Sequence, residues 1–343
     1  MKASAKASPS VCLLGPINVD ITLPVDEYPS EGGDGLCDSY SIETGGVVAN
    51  TAIVLAKLGA KAQLIGCMGD DIWSEMVSDA FDVTGVDVSG ISTIPGLATG
   101  LNIAIVTPSG ERTFFNAWGA NNWVEPDKLP LDLIARADML QVTGHPVTRE
   151  SNRSVLLDAI DIARLTNVPV SMDTSLRPVM EQTSEILSLI PQLEICVVGY
   201  EEGRHLTDEQ DPYAIARNII SRGSNLVAVK LGGGGCVVAT AEEHTILTTH
   251  DVTTLDTTGA GDSFTAGIIF GWLSQMSIGA TAMLANLLGA LATTVWGAGT
   301  KLPGADNVIT HLSSMDYHDR SEHDAHEVTV MLKASQRLHG SNP

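Results

Sequence analysis

A short glycine turn followed by an acid, TTGAGDSF, stands immediately before an apolar run. Gly259, Ala260 and Gly261 can bend the chain sharply and leave backbone N–H groups without partners. The helix expected to start near Asp262 adds further free N–H groups and the positive end of its dipole. This arrangement suits a phosphoryl group, and the carboxylate suits proton removal from a hydroxyl that attacks phosphorus. Taken alone, the stretch is better explained as an ordinary turn before a helix, so other parts of the chain must decide.

The elements that would position this turn are short apolar runs that alternate with helical ones. The strand-like runs occupy residues 11–17, 61–69, 137–144, 168–173, 193–199 and 225–232. Several are apolar throughout, which is typical of strands covered on both faces. Helical periods fill residues 48–59, 151–166 and 212–223. The alternation predicts an α/β fold with a three-layer, doubly wound, mostly parallel sheet.

Two stretches interrupt this alternation, residues 21–46 and 100–120. Both carry Gly and Pro between alternating apolar and polar residues, and TPSGE between two strand-like runs indicates a hairpin turn. Ordinary long loops are the alternative, but loops of this length are uncommon in a compact domain. We therefore predict a small β-sheet that stands off the main domain as a lid.

The charge of the chain excludes several classes of partner. The chain has 343 residues and a formal net charge of −22. Such a surface repels phosphate backbones and anionic lipid, so we expect neither nucleic acid nor membrane partners. A phosphate site must then be built locally, from backbone N–H groups, a metal ion or single basic residues.

The cysteines and the apolar runs indicate the compartment. The five cysteines are far apart and include no C-x-x-C pair, and three of them lie in apolar runs, which predicts reduced thiols. The stretch MKASAKASPS has no apolar segment typical of a signal peptide, and no window holds 18 uninterrupted apolar residues. We expect a cytoplasmic protein.

The segment from residue 316 onward is polar and rich in histidine. His323 and His326 could share one face of a helix, but scattered surface histidines are the commoner case and no other residue there has ligand spacing. We predict a helix around Val328 to Leu338 that frays or packs in an oligomer.

Four stretches together resemble one known family. DTTGAGDSFTAGII is similar, position by position, to the C-terminal signature of the ribokinase-like (PfkB) carbohydrate kinases. GPINVD resembles their first strand and the start of their lid, TGGVVAN their N-terminal signature, and KLGGGG their nucleotide loop. The order and spacing match along nearly all of residues 11–315. The resemblance implies one kinase domain over 11–315, with lid segments at about 18–46 and 98–122 and tails at 1–10 and 316–343.

The resemblance implies ATP-dependent phosphoryl transfer to an alcohol of a sugar or nucleoside, with Mg²⁺. It makes Asp262 the general base and residues 259–261 the anion hole. The positions that match acceptor contacts are Asn18, Asp20, Gly45, Gly46 and Asn50. The positions that match ATP contacts are Lys230, Gly232, Gly235, Asn286 and Arg177.

The resemblance also implies two ion sites. Glu202 matches a glutamate that holds Mg²⁺ through water, although Gly199 stands where the family has Asn and Glu201 is an alternative. Some members of the family bind K⁺ beside the anion hole. Asp256 and Thr258 match the first half of that site, which makes K⁺ an optional cofactor.

The sequence leaves three functions open, which differ in the acceptor or in whether the protein is catalytic. A small sugar or sugar acid is favoured, because SMDTSLRP is similar to the D-x-N-x-R-P stretch of members that act on fructose or 2-keto-3-deoxygluconate. A nucleoside kinase of the same fold is the alternative, and a catalytically silent binding protein is a third possibility that the intact GAGD turn disfavours. Phe114, Phe115 and Trp118 could cover a substrate, form the lid's own core or contact a second lid. We expect a homodimer through the lid.

Overall fold

The computed structural model describes residues 8–108, 112–122, 129–315 and 320–339, and thirteen strands and twelve α-helices lie within these ranges. The strands are β1 Ser10–Leu14, β2 Asn18–Pro24, β3 Ser41–Gly45, β4 Lys61–Gly69, β5 Asp87–Ile94, β6 Gly100–Val106, β7 Arg112–Ala117, β8 Met139–Thr143, β9 Val170–Asp173, β10 Ile195–Gly199, β11 Leu226–Lys230, β12 Cys236–Ala239 and β13 His244–Leu247. The helices are α1 Val47–Lys57, α2 Ile72–Thr84, α3 Leu131–Arg136, α4 Glu150–Leu165, α5 Leu176–Glu181, α6 Thr183–Leu189, α7 Tyr200–Thr207, α8 Pro212–Ser221, α9 Ala260–Leu273, α10 Ile278–Ala292, α11 Ala305–Ser313 and α12 Arg320–His339.

Nine strands form the main sheet in the order β13-β12-β11-β10-β9-β8-β1-β4-β5. The seven strands from β11 to β5 in this order pair in parallel, and β12 pairs antiparallel with both β11 and β13. Each of the six apolar runs contributes one of the parallel strands. The predicted doubly wound α/β fold is thus confirmed.

Helices cover both faces of this sheet and enclose two hydrophobic cores. One core packs β1 and β4 against α1, α9 and α10, and the other packs β8 to β11 against α4 and α8. Helices α9 and α10 lie close together, because a methyl group at Gly267 would come within 2.5 Å of the Ala285 Cα atom. The helix that carries Asp262 is therefore held firmly in the body of the domain.

A separate four-stranded sheet, in the order β3-β2-β6-β7, forms the lid. β6 and β7 pair antiparallel as a hairpin, and the predicted turn TPSGE lies partly outside the described residues, at 109–111. Phe114 and Phe115 are neighbours on β7 and are both about half exposed, so they lie on opposite faces of the lid. One aromatic ring is thus available on each face.

The segment predicted as a tail contributes helix α12, which packs against the body of the same chain. Val328 and Leu332 are fully buried against the core that contains α10, and Ser335 donates a hydrogen bond to the Leu58 carbonyl oxygen. Glu327 accepts hydrogen bonds from the backbone N–H and the hydroxyl of Ser277, at the start of α10. A buried stripe at helical spacing fixes this helix to the domain.

Within the described part of the chain, no helix combines the length and the apolar composition that crossing a bilayer requires.

Candidate active site

The carboxyl ends of the parallel strands meet at one edge of the main sheet. Asp173 ends β9, Gly199 ends β10 and Lys230 ends β11, and the chain leaves β1 at Gly15 along the same edge. In doubly wound sheets ligands bind at this edge. The residues that the sequence singles out can therefore meet here.

The glycine turn stands at this edge as the N-terminus of α9. Gly259 has φ +75° and ψ −1°, a left-handed conformation that residues with a Cβ atom rarely adopt. The first helical hydrogen bond runs from the Ser263 N–H to the Gly259 carbonyl, so the N–H groups of Gly261 and Asp262 have no acceptor within the helix. The turn thus offers two N–H donors and the helix dipole to an anion.

Asp262 lies in the first turn of α9 beside these donors. Its Oδ2 atom accepts a hydrogen bond from Asn50 Nδ2 at 2.8 Å, and Asn50 Oδ1 accepts one from the Gly299 N–H at 3.2 Å. Burial raises the pKa of Asp262 from 3.8 to about 7; the Asn50 bond opposes the rise and the charges of Asp173 and Asp20 add to it. A carboxylate with this pKa can accept a proton near neutral pH.

Asp20 lies on lid strand β2, with 9% of its surface exposed. Its carboxylate occupies the space that a side chain at Gly45 would need, because a Cβ atom there would lie 2.1 Å from Asp20 Oδ2. Burial raises the pKa of Asp20 to about 6, against the effect of a hydrogen bond from Asn102. Oδ1 is buried without a hydrogen-bond partner among the described residues. A buried oxygen of this kind is a ready acceptor for a ligand hydroxyl.

Asn18 and Gly46 join the lid to the body. Asn121 bonds through its side chain to the Ile17 backbone and to Asn18 Oδ1, at 2.8 to 3.0 Å. Gly46 has φ +99° and precedes α1, and a Cβ atom there would lie 2.5 Å from the Pro16 carbonyl oxygen. The predicted acceptor positions on β2, on β3 and at the start of α1 are therefore contiguous.

Lys230 extends from the end of β11 towards the glycine turn. Its Nζ atom donates to Asp173 Oδ2 at 2.7 Å, and the Thr265 hydroxyl of α9 donates to the same oxygen at 2.8 Å. Burial lowers the pKa of Lys230, but the carboxylates of Asp173, Glu202 and Asp262 outweigh burial and raise it above its ordinary value. The side chain is thus a permanent cation in the cleft.

Glu202 begins near the same edge, in the first turn of α7. Its Oε2 atom accepts hydrogen bonds from the Gly199 N–H at 2.8 Å and from the Thr174 hydroxyl at 2.6 Å. A side chain at Gly199 would press on this carboxylate, since a Cβ atom there would lie 3.1 Å from Oε1. Glycine at this position therefore leaves room for Glu202 to fold back onto the start of its own helix.

The predicted nucleotide loop follows Lys230. Gly232–Gly234 form a short 3₁₀ turn, and Cβ atoms built at Gly232 and Gly233 would meet nothing within 4 Å. Asn286 on α10 donates to the Thr248 carbonyl oxygen at 2.7 Å and is 5% exposed. The loop is open above its backbone, whereas Asn286 anchors the chain that passes beside α10.

Asp256 connects two loops next to the turn. Its Oδ1 atom accepts hydrogen bonds from the N–H and hydroxyl groups of Thr258, and its Oδ2 atom accepts one from the Gly297 N–H at 2.9 Å. Asp256 also lines a cavity of about 810 Å³ that separates the lid from the loop at 254–257. The segment that carries Asp256 and Thr258, the residues matched to a cation site, is thus adjacent in space to the loop at Gly297.

Arg177 is the predicted site residue that the structure does not bring into this cluster. Its side chain is 70% exposed, and its Nε atom donates to Glu181 Oε1 at 2.7 Å, one turn along α5. The pair engages Nε, so any contact of Arg177 with a phosphate would use its terminal guanidinium N–H groups.

Two features of the cluster escaped the sequence analysis. Asn50 is predicted to contact the acceptor, and the structure adds a second contact that the sequence did not indicate, a hydrogen bond to Asp262, 212 residues away. Asp173 was noted only for its resemblance, yet it holds both Lys230 and Thr265. Asp173 ends an apolar strand at the carboxyl edge, and that position was the signal available to find it.

Comparison with known proteins agrees with this geometry. "Aminoimidazole riboside kinase" of Salmonella typhimurium is 32% identical over 81% of this chain and 90% of its own length. "Probable fructokinase-3" of Arabidopsis thaliana is 29% identical over 81% of this chain and 86% of its own length. The structure of Arabidopsis thaliana ribokinase complexed with ribose and ATP superposes with a TM-score of 0.74 at 20% identity, covering 95% of this chain and 99% of that one.

The family profile described as pfkB family carbohydrate kinase matches residues 8–305, which is nearly all of the chain that carries the two sheets and the cleft. The resemblance found in the four stretches is therefore confirmed, and the chain belongs to the pfkB family of carbohydrate kinases.

Proposed function

We propose that this kinase transfers the γ-phosphate of ATP to a primary hydroxyl of a small sugar or sugar acid, with Asp262 as the general base. The observation that carries the proposal is the position of the Asp262 carboxylate, beside the free N–H groups of the α9 turn and with a pKa of about 7. A base and an anion site in contact are what alcohol phosphorylation requires.

In this mechanism the acceptor oxygen attacks the γ-phosphorus while its proton passes to the Asp262 carboxylate. The new O–P bond forms as the bond to the β-phosphate oxygen breaks, and ADP leaves. The N–H groups of the turn at 259–261 stabilise the charge on the transferring group. Asn50 keeps the carboxylate pointed at the acceptor through its 2.8 Å hydrogen bond.

We assign acceptor binding to Asp20 and to the positions around it, Asn18, Gly45, Gly46 and Asn50. Support comes from Asp20 Oδ1, which is buried and lacks a hydrogen-bond partner among the described residues. A hydroxyl of the acceptor would supply the missing donor, and leaving such an oxygen unpaired costs about 1–3 kcal/mol. Gly45 is needed for this arrangement because its hydrogen leaves room for the carboxylate.

We assign ATP to the open loop that contains Gly232 and Gly235, with Lys230 below it and Asn286 beside it. The space above Gly232 allows close approach of a ligand to the backbone. Arg177 is exposed and paired with Glu181 through Nε, so we expect it to contact ATP through its terminal guanidinium N–H groups. Glu202 would hold hydrated Mg²⁺ through Oε1, and the ion would neutralise phosphate charge.

We further propose that Asp256 and Thr258 belong to a K⁺ site completed by backbone carbonyls near Gly297. The hydrogen bond from the Gly297 N–H to Asp256 brings the two loops together, which supports the idea. Activity measured in K⁺ and in an equal concentration of tetramethylammonium tests it. Equal rates in the two salts would remove this site from the proposal.

We also propose a homodimer formed through the lids. The half-exposed Phe114 and Phe115 on β7 support it, because exposed apolar side chains are stabilised by contact with a partner. Light scattering coupled to size exclusion measures the mass directly.

The buried free thiols, for example Cys196, fit a reducing compartment, and we propose that the enzyme works in the cytoplasm.

A panel of acceptors distinguishes the sugar kinase from the nucleoside kinase. ADP release is measured with pentoses, hexoses, sugar acids and nucleosides, and the phosphorylated carbon of any product is located by NMR. We expect turnover with a free sugar or sugar acid. Turnover with nucleosides alone would favour the nucleoside kinase over the sugar kinase. If no alcohol in the panel stimulates ADP release, that result would count against a kinase function.

A further inference from the structure

The ammonium group of Lys230 lies against the turn that would hold the transferring phosphoryl group. A Cβ atom built at Gly261 would lie 3.5 Å from Lys230 Nζ, and within the described part of the chain no other heavy atom outside the turn and its own helix would lie within 4 Å. The gap between the turn and the ammonium is therefore open, and the free N–H groups of Gly261 and Asp262 border it.

The ion pair with Asp173 leaves most of the hydrogen-bonding capacity of Lys230 unused. A lysine ammonium has three N–H donors. Among the residues that the structure describes, Asp173 is the one acceptor of a hydrogen bond from it, at 2.7 Å. The side chain keeps 20% exposure, whereas Asp173 keeps 5%. Two donors are thus directed to solvent or to a ligand.

Asp173 also joins Lys230 to the helix that carries the general base. Its Oδ2 atom accepts hydrogen bonds from both Lys230 and Thr265, and Thr265 lies one turn after Asp262 on α9. A shift of α9 would therefore move the base and the ammonium together. A lysine that served only to neutralise Asp173 would not need this link or the open gap.

We propose that Lys230 is a catalytic residue whose ammonium donates hydrogen bonds to the transferring phosphoryl group, while Asp173 and Thr265 position it. This inference rests on the proposed kinase function and deepens it. As the acceptor oxygen bonds to phosphorus and the bond to ADP breaks, negative charge lies on the three equatorial oxygens. Lys230 faces that charge from the side opposite the backbone N–H groups, and it neither gains nor loses a proton.

The test compares Lys230→Met with Lys61→Met, which removes an exposed lysine at the start of β4. We expect kcat of Lys230→Met to fall by about 10²–10³-fold, the loss typical of one donor to a reacting oxyanion. Acceptor KM should stay within about twofold, because the interaction forms in the transition state. Lys61→Met should keep the wild-type kcat.

A second variant separates catalysis from folding. Asp173→Asn combined with Lys230→Met removes both members of the ion pair and avoids an unpaired buried charge. If Lys230 is catalytic, this double variant recovers thermal stability but not kcat. A kcat restored to within about fivefold of wild type would show that the lysine only neutralises Asp173, and the inference would fail.

A binding measurement distinguishes failure of the role proposed for Lys230 from failure of the proposed kinase function. Calorimetry compares ADP alone with ADP plus aluminium fluoride, which mimics the transferring phosphoryl group and needs no acceptor. We expect Lys230→Met to bind ADP normally and to lose about 100-fold in affinity for the aluminium fluoride complex. Equal losses, or none, overturn the role of Lys230, whereas a wild-type enzyme that phosphorylates no alcohol contradicts the kinase proposal.

Discussion

Replacing Asp262 by Asn should abolish turnover and make the protein more stable. The pKa of Asp262 rises from 3.8 in an unfolded chain to about 7 in the fold, mainly through burial. Because the folded-state pKa lies above the unfolded value, the stability that protonated Asp262 contributes is fully present below pH 3.8. This contribution is lost as the pH rises through 7. Three pKa units correspond to about 4 kcal/mol, which is an upper limit because part of the side chain still reaches solvent.

The stability gain should therefore depend on pH in a defined way. In Asp262→Asn the ionisation is gone, while Asn50 can still donate to the side-chain oxygen. We expect the free energy of unfolding of the variant to be about 2–4 kcal/mol higher than that of wild type at pH 8. At pH 4 the two values should be nearly the same. Urea unfolding at both pH values measures this difference. Asp79→Asn, an exposed position on α2, serves as the control; it keeps Asp262 and should have the same unfolding free energy as wild type at both pH values.

Catalysis should change in the opposite direction. In the wild type, kcat/KM should fall about tenfold per pH unit below pH 7, because protonated Asp262 cannot accept the acceptor proton. In the Asn variant the rate should drop by about 10²–10⁴-fold at pH 8, with ATP binding retained. A variant that keeps wild-type kcat would refute the role of Asp262 as general base. A variant that is less stable than wild type at pH 8, without the predicted pH dependence, would refute the electrostatic reasoning.

Three further predictions concern the acceptor site and helix α12. Asp20→Ala should raise acceptor KM about 10- to 100-fold with little change in kcat, because it removes binding present in ground and transition states alike. Gly45→Ala should raise the same KM and lower the urea midpoint, since the added methyl overlaps the Asp20 carboxylate. Deleting residues 316–343 should cost about 3 kcal/mol or more of unfolding free energy, because Val328 and Leu332 are fully buried; an unchanged midpoint would contradict their packing.

The parallel sheet was predictable because its strands are short and apolar throughout. Strands such as β10 and β11 are buried on both faces, and that burial leaves a direct mark on composition. The lid was predictable for the opposite reason, because Gly and Pro punctuate alternating runs. Strand order, however, depends on contacts between distant segments, and no local pattern states that β1 lies between β4 and β8.

Helix α12 shows how composition can hide a packed element. Its polar residues and histidines suggested a segment outside the domain, yet Ala325, Val328 and Leu332 recur at spacings of three and four residues. That stripe is narrow, so most of the helix surface remains polar. The average composition of the segment therefore does not reveal that one face of the helix is packed. A periodicity count, rather than composition, would have indicated the packed face.

The pairings within the site were beyond reach of the sequence for a physical reason. Asn50 and Asp262 come from helices on different parts of the chain, and Lys230 at the end of β11 meets Asp173 at the end of β9, with β10 between these two strands. Residue types indicated the chemistry only in combination, because the glycine turn with its carboxylate was decisive only together with the three other matching stretches. Partners, by contrast, follow from the register of the sheet and from helix packing, which only the fold determines.

The electrostatics of the cleft explain why a chain of net charge −22 can bind ATP. The charges of Asp173 and Asp20 add to the effect of burial in raising the pKa of Asp262, so the cleft opposes the ionised form that catalysis needs. Lys230 lowers the pKa of Asp262 and so offsets part of this opposition. An acceptor hydroxyl on Asp20 would stabilise that carboxylate too, whereas a phosphoryl group beside the turn adds negative charge. Acceptor binding should therefore favour the ionised site, and ATP should need its metal ion to enter the cleft.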